Sequence, residues 1–380
     1  MVELRELTVY SNGDSRKLST WSNIPYFVTE TVEAKGIQVH RVDLSPRPWI
    51  ALAYNIFRKI GRVFQKNGNP GYFRSGLHFH DARRRIRRAV RLYPQSQAHL
   101  FLTFSFSATG ITEKPSIQLC DWPFEYMLRH FEGREPSRRE AQSVKRENSQ
   151  IAGSDAVISL FQGAADFLSH RHSGVDVHYL GPVVNALCQP DGPQIVEVKQ
   201  QAQRLLYVGN KKYLAGAEHL LAAFRHLKEN HPAVSLDIVG MRERDFSPLP
   251  EGVRCHGYLD KDVEMDHRLF YKLLSNASVF VNTTPKWGPF SATLEAMTFY
   301  TPVILRPYEE FVATFGLTPD FGRYCEDDAP QALCDAIESV LKDPSYVELC
   351  LQAHEVVKDA TWERYLDQVL AHIGHTIEDR

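Results

Sequence analysis

The sequence predicts an α/β protein of two domains, each built on a parallel β-sheet. The chain has 380 residues, which is longer than a single hydrophobic core usually supports. Short apolar segments alternate with helical ones along the chain, and this order is typical of parallel sheets covered by helices. Residues 278–306 show the pattern in full: an apolar strand, a polar loop, a short helix and a second apolar strand.

Apolar segments of strand length recur in both halves of the chain. In the first half they lie at residues 7–10, 37–42, 99–104, 115–119, 154–160 and 175–180, and in the second at 204–209, 234–240, 253–259, 279–281, 303–305 and 321–325. Helical patterns separate them at residues 24–34, 49–64, 138–151, 217–230, 266–276, 330–342 and 345–358, and a last helix opens near residue 361. Residues 186–203 contain Pro190, Gly192 and Pro193 and are predicted to link the two domains.

The composition argues against several classes of function. A net charge of −2 gives the whole molecule no attraction for nucleic acid, so we expect no nucleic-acid partner. The six cysteines form no Cys-x-x-Cys pair, which is typical of reduced thiols in the cytoplasm. The first residues lack the pattern of a signal peptide, and no apolar run is long enough to span a bilayer. We therefore expect a cytoplasmic protein, with any membrane attachment peripheral and at the inner face.

Residues 278–306 also contain the strongest candidate site. Ser291 or Thr293 is predicted to cap the short helix, whose first backbone N–H groups face the preceding loop. Such a helix end is suited to binding a phosphate or diphosphate. Glu295 lies one turn into the helix, where its carboxylate can accept hydrogen bonds from the vicinal hydroxyls of a sugar.

Two segments of this stretch carry a family resemblance. Gly-Pro-Phe-Ser-Ala-Thr-Leu-Glu-Ala-Met at 288–297, followed by Thr-Pro-Val-Ile-Leu at 301–305, resembles the nucleotide-sugar signature of GT-B glycosyltransferases, particularly the retaining family 4. The resemblance implies a GT-B fold, with two Rossmann-like domains facing a cleft and a C-terminal helix that crosses back to the first domain. It implies an acceptor domain at residues 1–190, a donor domain at 191–360 and the crossing helix at 361–380.

The resemblance also implies which residues bind the donor. Glu295 would hold the ribose of a nucleotide-sugar. Backbone amides of the preceding loop would meet the diphosphate, and this loop comprises Gly288, Phe290, Ser291, Ala292 and Thr293. Trp287 stands where the family usually has a glutamate that touches the donor sugar. The nucleotide half of the signature is therefore intact, and the sugar half is not.

The start of the second domain departs from the family pattern. The family has an arginine just after the glycine of the first strand and a lysine before a later glycine, and both hold the diphosphate. Here Asn210 follows Gly209, and Ala215 takes the place of the lysine. Lys211 and Lys212 lie between these positions and are expected to supply the positive charge, since lysine acts as a flexible point charge toward phosphate. The alternative is that both lysines are solvated surface residues.

Four further positions at predicted strand ends are candidates. Gly240 and Tyr258 follow the second and third strands of the donor domain and are expected to contact the donor. Gly13 lies in the turn after the first strand of the chain, where it either approaches the donor phosphates or forms an ordinary turn. Asp121, a catalytic candidate, ends a strand facing the ligand side of the sheet, next to Cys120 in place of a family histidine. Alternatively, Asp121 caps the helix that follows.

The most basic segment of the chain is a predicted amphipathic helix at residues 83–91. It carries Arg83, Arg84, Arg85, Arg87, Arg88 and Arg91. This helix is expected either to contact anionic lipid or an anionic acceptor, or to be a solvated face paired with acidic neighbours. The pair His78 and His80 lacks further ligands for zinc, and the acidic runs 260–262 and 326–328 are interpreted as solvated loops. No bound metal is expected.

Together these features predict a glycosyltransferase with no cofactor other than its donor substrate. It would move a sugar from a nucleotide diphosphate sugar to a glycan or lipid-linked acceptor, with retention and without metal, as the family implies. Polysaccharide biosynthesis is the associated pathway class. The alternatives are a non-catalytic GT-B module that binds a glycan or a protein, and a nucleotide-sugar epimerase or sugar phosphorylase of the same fold. The sequence does not specify the base, the sugar or the acceptor.

Overall fold

The computed structural model describes residues 3–52, 54, 72–246 and 248–380. The predicted helix at residues 49–64 lies mostly outside the described residues. The chain divides into two compact units. One comprises Met1–Gly181 together with Trp362–Arg380, and the other comprises Pro182–Thr361.

The described part of the first unit is built on a six-stranded sheet in which all neighbouring strands are parallel. The strands are β1 (Glu6–Ser11), β2 (Gln38–Asp43), β3 (Ala98–Phe101), β4 (Ser116–Cys120), β5 (Ala156–Ser159) and β6 (Asp176–Tyr179), in the spatial order β2-β1-β3-β4-β5-β6. The helices that connect them are α1 (Ile24–Ala34), α2 (Gly76–Leu92), α3 (Arg138–Ala152) and α4 (Gln162–Arg171). A helical turn at Phe124–Tyr126 continues as a π-helical turn at Met127–Phe131.

Local sequence signals explain these elements. Every residue of β3 and β5 is buried, as expected of parallel strands that have helices on both faces of the sheet. Helix α3, which leads to β5, begins at a capping box in which Ser137 and Glu140 satisfy each other's backbone N–H groups. The side chain of Ser75 similarly accepts a hydrogen bond from the His78 backbone N–H at the start of α2.

The second unit repeats the architecture with a second six-stranded parallel sheet. Its strands are β7 (Arg204–Val208), β8 (Ser235–Val239), β9 (Val253–Gly257), β10 (Val279–Asn282), β11 (Val303–Leu305) and β12 (Gly322–Tyr324), in the order β12-β11-β10-β7-β8-β9. Its helices are α5 (Ile195–Ala202), α6 (Leu214–Asn230), α7 (Glu264–Asn276), α8 (Phe290–Thr298), α9 (Glu309–Phe315), α10 (Pro330–Leu341) and α11 (Tyr346–Glu355). The strand order reverses between β7 and β10, so the loops after these two strands flank the crevice where such sheets bind ligands.

The last helix, α12 (Trp362–Glu378), belongs to the first unit. It buries one stripe of residues, namely Trp362, Tyr365, Leu366, Val369 and Ile373. The indole of Trp362 stacks on Phe27 of α1 with 5.9 Å between ring centroids, and Lys35 Nζ lies 2.6 Å from Asp367 Oδ1. The prediction of two Rossmann-like units with a final helix returned to the first is confirmed.

The predicted linker at residues 186–203 is wrong in its second half, because residues 195–202 form helix α5. Val196 and Lys199 of this helix are buried. Lys199 Nζ donates to the backbone oxygens of Leu274 and Ala277, at 2.7 and 2.9 Å, and to Thr301 Oγ1 at 2.9 Å. Sequence periodicity missed this helix because its buried face is centred on a lysine, which a pattern of apolar residues counts as exposed.

Candidate functional site

The N-terminus of α8 lies directly after the loop that follows β10. Phe290 N–H donates to Gly288 O at 2.9 Å and Thr293 N–H to Pro289 O at 2.9 Å. Within the described part of the chain, the backbone N–H groups of Ser291 and Ala292 have no hydrogen-bond acceptor. A helix end with two unpaired donors is suited to binding an anion, and the sequence predicts such a site here.

Neither predicted capping side chain caps α8. The residue at the N-cap position is Pro289, which makes no side-chain cap. Thr293 Oγ1 instead donates to Pro289 O at 3.1 Å, and Ser291 Oγ accepts a hydrogen bond from Asn185 Nδ2 at 3.0 Å. The capping prediction is wrong because both hydroxyls lie inside the helix, where they bond to neighbours instead of to the first-turn amides.

Glu295 is buried one turn into the same helix. Its Oε1 accepts hydrogen bonds from Lys261 Nζ at 2.5 Å and from Tyr271 Oη at 3.2 Å. Burial raises the pKa of the Glu295 carboxyl, and the positive charge of Lys261 opposes that rise. Because both contacts are made to one oxygen, the carboxylate has a fixed orientation.

Lys261 is a member of this site that sequence analysis missed. The interpretation of residues 260–262 as a solvated loop is wrong for this side chain, which is 13% exposed. Its ammonium lies 4.3 Å from the centroid of the Phe270 ring, and the loop is fixed by the Asp260 N–H donating to Asp266 Oδ2 at 3.0 Å. A lysine between two aspartates has the pattern of a surface turn. Only its position after the carboxyl end of β9 could have indicated a role.

Two glycines predicted to contact the donor form backbone hydrogen bonds between the carboxyl ends of β7, β8 and β9. Gly209 N–H, after β7, donates to Val239 O at 3.0 Å, and Gly240 N–H, after β8, donates to Gly257 O at 2.7 Å. Gly240 has a φ of +98°, and a Cβ placed there would lie 2.4 Å from the backbone oxygen of Gly209. Only glycine fits at Gly240, so this position shapes the crevice edge through its backbone.

The loop after β7 holds the two predicted lysines in different environments. Lys211 Nζ lies 2.6 Å from Asp245 Oδ1, and this contact lowers the pKa of Asp245. Asn210 Oδ1 accepts a hydrogen bond from the Lys212 N–H at 2.9 Å. Lys212 Nζ lies 5.8 Å from the ring centroid of Trp287, so the loops after β7 and β10 meet through these two residues. The structure therefore brings Lys212 and Trp287 together and directs Lys211 toward Asp245.

The remaining residues predicted to contact the nucleotide-sugar differ in how accessible they are to a ligand. Gly288 lies against Tyr308, whose Cε1 would be 2.4 Å from an added Cβ, so no side chain fits there. The Phe290 ring packs near Phe311, with 6.1 Å between centroids, and its N–H already donates to Gly288 O, so Phe290 is not one of the unpaired donors of the helix end. Tyr258, just after β9, is 65% exposed.

The two candidates of the first unit are both engaged in local contacts. Gly13 N–H donates to Asp43 Oδ1 at 2.9 Å, and Gly13 has a φ of +132°, so this amide already has an acceptor. Asp121 Oδ1 accepts from the Trp122 N–H at 2.8 Å and from Cys120 Sγ at 3.2 Å. Burial raises the pKa of Asp121.

Asp121 does not cap the following helical turn, so that alternative is wrong. The residue at its N-cap position is Pro123. The N–H of Phe124, the first residue of the turn, donates to Glu147 Oε2 at 2.5 Å. A buried carboxylate of α3 thus satisfies the amide that Asp121 was expected to bind.

The basic segment is helix α2, and its arginines divide into two groups. Arg83 donates to Gln150 Oε1 and to Thr109 O. Arg85 pairs with Asp81 at 3.0 Å and donates to backbone oxygens of residues 43–45. The other four are exposed and, among the described residues, form no ion pair: Arg84, Arg87, Arg88 and Arg91. They recur at helical spacing and form one cationic stripe.

Across the described residues, no helix combines the length and apolarity needed to cross a membrane.

Comparisons with known proteins agree with this architecture. The family model described as "Glycosyl transferases group 1" matches residues 202–343, which include β7 through α10 and therefore the whole site around α8. The comparison with curated proteins found no match. The resemblance noted in residues 278–306 is confirmed by the family match, which supports the glycosyltransferase class.

Solved structures match the chain over nearly its whole length. Sucrose-phosphate synthase from Thermosynechococcus elongatus is 14% identical with a TM-score of 0.64, covering 99% of this chain and 100% of that one. HepE from Anabaena, solved in complex with UDP and glucose, is 14% identical with a TM-score of 0.60, covering 98% and 100%. The α,α-trehalose 6-phosphate synthase from Burkholderia multivorans is 11% identical with a TM-score of 0.60, covering 100% and 99%. Residues 202–343 thus match the group 1 glycosyltransferase model, and the chain as a whole has the GT-B fold of these solved structures.

Proposed function

We propose that the protein transfers a sugar from a nucleotide diphosphate sugar to a hydroxyl of an acceptor. The observation that carries this proposal is the arrangement on α8. Two unpaired backbone N–H groups, those of Ser291 and Ala292, stand at its start, and the fixed carboxylate of Glu295 lies one turn further along. The amides suit the diphosphate. The second oxygen of Glu295 suits the vicinal hydroxyls of the ribose.

Catalysis in this proposal is mainly electrostatic. Negative charge develops on the departing diphosphate, where preorganised N–H donors and a nearby cation stabilise it. Lys212, beside Trp287, supplies one positive charge. Lys211, whose side chain is 73% exposed, supplies another by leaving Asp245, whose carboxylate keeps the Arg242 N–H as a hydrogen-bond donor. We further propose retention of configuration without a metal ion in the transfer reaction, as in the family that the α8 signature resembles.

Asp121 is proposed to assist proton transfer from the first unit. Its carboxylate follows β4, at the carboxyl end of a parallel strand. Burial raises the pKa of this carboxyl, which brings its titration closer to neutral pH and suits a general acid or base.

The donor is tested first, by calorimetric titration of UDP, GDP, dTDP and ADP into the wild-type protein and the Glu295→Ala variant. We expect one of these nucleotides to bind, and the substitution to weaken its binding at least about tenfold, or about 1.4 kcal/mol. The proposal fails if none of them binds to the wild-type protein.

The matched control is Glu264→Ala, which removes an exposed carboxylate of α7 that pairs with Arg268. We expect its nucleotide affinity to equal that of the wild type. Because Glu295→Ala also removes the partner of Lys261, thermal unfolding of both variants is compared before the affinities are interpreted. Equal weakening in both variants would speak against a specific role for Glu295.

A non-catalytic binding module of the same fold is the second candidate. Lys211 is paired with Asp245, and Trp287 stands where the family has a sugar-binding glutamate; both features favour binding over turnover. The two functions are separated by incubating the protein with the nucleotide-sugar of the base identified above. Release of the nucleoside diphosphate, with or without an acceptor, supports the enzyme, and binding with no release supports the module.

We propose a glycan or lipid-linked acceptor, with the cationic stripe of α2 placing the protein at the inner face of the cytoplasmic membrane. An exposed cluster of arginines is attracted to anionic lipid by roughly 1 kcal/mol per charge. This location would suit an enzyme of polysaccharide biosynthesis.

Changing Arg84, Arg87, Arg88 and Arg91 together to glutamine should therefore reduce co-sedimentation with phosphatidylserine vesicles by at least about tenfold. The control variant changes four exposed cations of the second unit to glutamine, namely Arg225, Arg254, Lys272 and Lys358. Equal vesicle binding by the wild type and both variants would contradict a specific role for the stripe of α2.

A further inference from the structure

Strand β6 and helix α12 of the first unit bring two histidines and an aspartate together. Asp176 and His178 are two residues apart on β6, so their side chains lie on the same face of the strand. His372, on α12, lies opposite them. The imidazole centroids of His178 and His372 are 3.9 Å apart with the ring planes inclined by 38°. One ligand atom from each of the three residues lies within 4.8 Å of the others.

The nitrogen at the centre of this cluster has no directional partner. His178 Nε2 lies 2.7 Å from Asp176 Oδ2. It is nevertheless a buried atom that forms no hydrogen bond of acceptable geometry within the described residues. Close approach without a directed hydrogen bond leaves the nitrogen available to a third group that both side chains can reach.

From this geometry we propose that Asp176, His178 and His372 bind a divalent transition metal, with Zn²⁺ as the best fit. Two imidazole nitrogens and one carboxylate oxygen form a donor set that zinc accepts, and the fourth position of a tetrahedral site is left to water. The donor set disfavours magnesium and calcium, which take oxygen ligands.

The distances are compatible with this metal after small rotations of the side chains. Ligand atoms around a tetrahedral zinc lie about 3.3 Å apart, given bonds of about 2 Å, so the three groups must close inward from their present separation. Asp176 is 62% exposed at its side chain. It therefore provides both the mobile ligand and the entry path for the ion.

The bound ion would join the last helix to the edge of the first sheet. His372 lies in the C-terminal half of α12, beyond Val369, whereas Asp176 and His178 lie on the edge strand β6. An ion that binds the folded arrangement stabilises it by mass action. Metal binding should therefore slow amide hydrogen exchange in residues 366–378 and leave exchange in the second unit unchanged.

The test uses the full chain without an affinity tag, first freed of metal by a chelator. Zn²⁺ is titrated by calorimetry, and the same experiment is run on His372→Ala, Asp176→Asn and the control His170→Ala, which removes an exposed histidine of α4. We expect one equivalent of Zn²⁺ to bind to the wild type and the control, and the two cluster variants to bind at least tenfold more weakly. Asp176→Asn alters an exposed side chain, so it keeps the test valid if His372→Ala disturbs the helix.

Co²⁺ distinguishes this site from one made by the cysteines. All six cysteines have free thiols, and thiolate ligands give a charge-transfer band in the near ultraviolet. We expect the Co²⁺ spectrum to show only the weak visible bands of nitrogen and oxygen ligands. The proposal is overturned if no Zn²⁺ binds, if both cluster variants bind it as the wild type does, or if the thiolate band appears.

Discussion

Replacing Lys199 with methionine should lower the free energy of unfolding by about 3 kcal/mol at pH 9. Lys199 is buried, and its Nζ bonds to the oxygens of Leu274, Ala277 and Thr301. The two carbonyls stand at the C-terminal end of α7, where the last carbonyl groups lack the usual partners within the helix, and among the described residues only the Leu274 oxygen has a further donor, the Ala277 N–H at 3.4 Å. Methionine matches the length of the lysine stem but donates nothing, and each buried acceptor that loses its partner costs about 1–3 kcal/mol.

The size of this effect should depend on pH. Burial lowers the pKa of Lys199 to about 7, whereas the unfolded chain has the ordinary lysine value of about 10.4. Between these values the unfolded chain binds a proton that the folded chain does not, so raising the pH stabilises the folded protein. The advantage of the wild type over Lys199→Met should thus grow from pH 7 to pH 10 by up to about 1.4 kcal/mol per pH unit.

Urea denaturation of both proteins at several pH values measures this difference. The control is Lys228→Met, since Lys228 on α6 also donates to two backbone oxygens, those of Pro232 and Val234, but is only half-buried. We expect its substitution to cost less than about 1 kcal/mol. A difference between wild type and Lys199→Met that stays constant from pH 7 to pH 10 would contradict a titrating buried lysine.

Lys199 also illustrates what local sequence patterns can and cannot predict. The twelve strands described here were each predicted at or near their observed positions, because a continuous apolar run signals a strand in a sheet covered on both faces. The helix α5 was missed because its buried face contains a lysine whose partners lie far along the chain. Its hydrogen bond to Leu274, for example, spans 75 positions.

In the candidate site, too, local sequence patterns predicted the elements but missed the contacts between distant residues. Glu295 and the start of α8 were predicted, because the strand, loop and helix that position them are contiguous in sequence. Lys261 was not, because its contact with Glu295 joins residues 34 positions apart and depends on how the loop after β9 folds back. The pairing of Lys211 with Asp245 likewise spans two strand-end loops. Local signals identify the elements of the site, whereas the charge balance inside it comes from tertiary contacts.

The Gly240→Ala substitution should destabilise the second unit by at least about 3 kcal/mol. Two costs combine at this position. A φ of +98° disfavours any residue with a Cβ, by about 1–2 kcal/mol. The added Cβ would also lie 2.4 Å from the Gly209 backbone oxygen, and relieving that overlap requires a backbone shift of the kind that costs about 1–3 kcal/mol.

The control Gly316→Ala separates the two costs, because Gly316 has a φ of +83° but no heavy atom within 4 Å of its would-be Cβ. Urea denaturation should show a loss of about 1–3 kcal/mol for Gly316→Ala, from its backbone conformation alone (φ 83°, ψ 177°), and a larger loss for Gly240→Ala. Any shift at Gly240 also moves Gly209, which precedes the lysine loop, so nucleotide affinity should fall in Gly240→Ala and not in the control. Equal losses of stability in the two variants would mean that the strand ends relax freely around Gly240. The close approach of Gly240 to Gly209 would then not fix the geometry of the crevice.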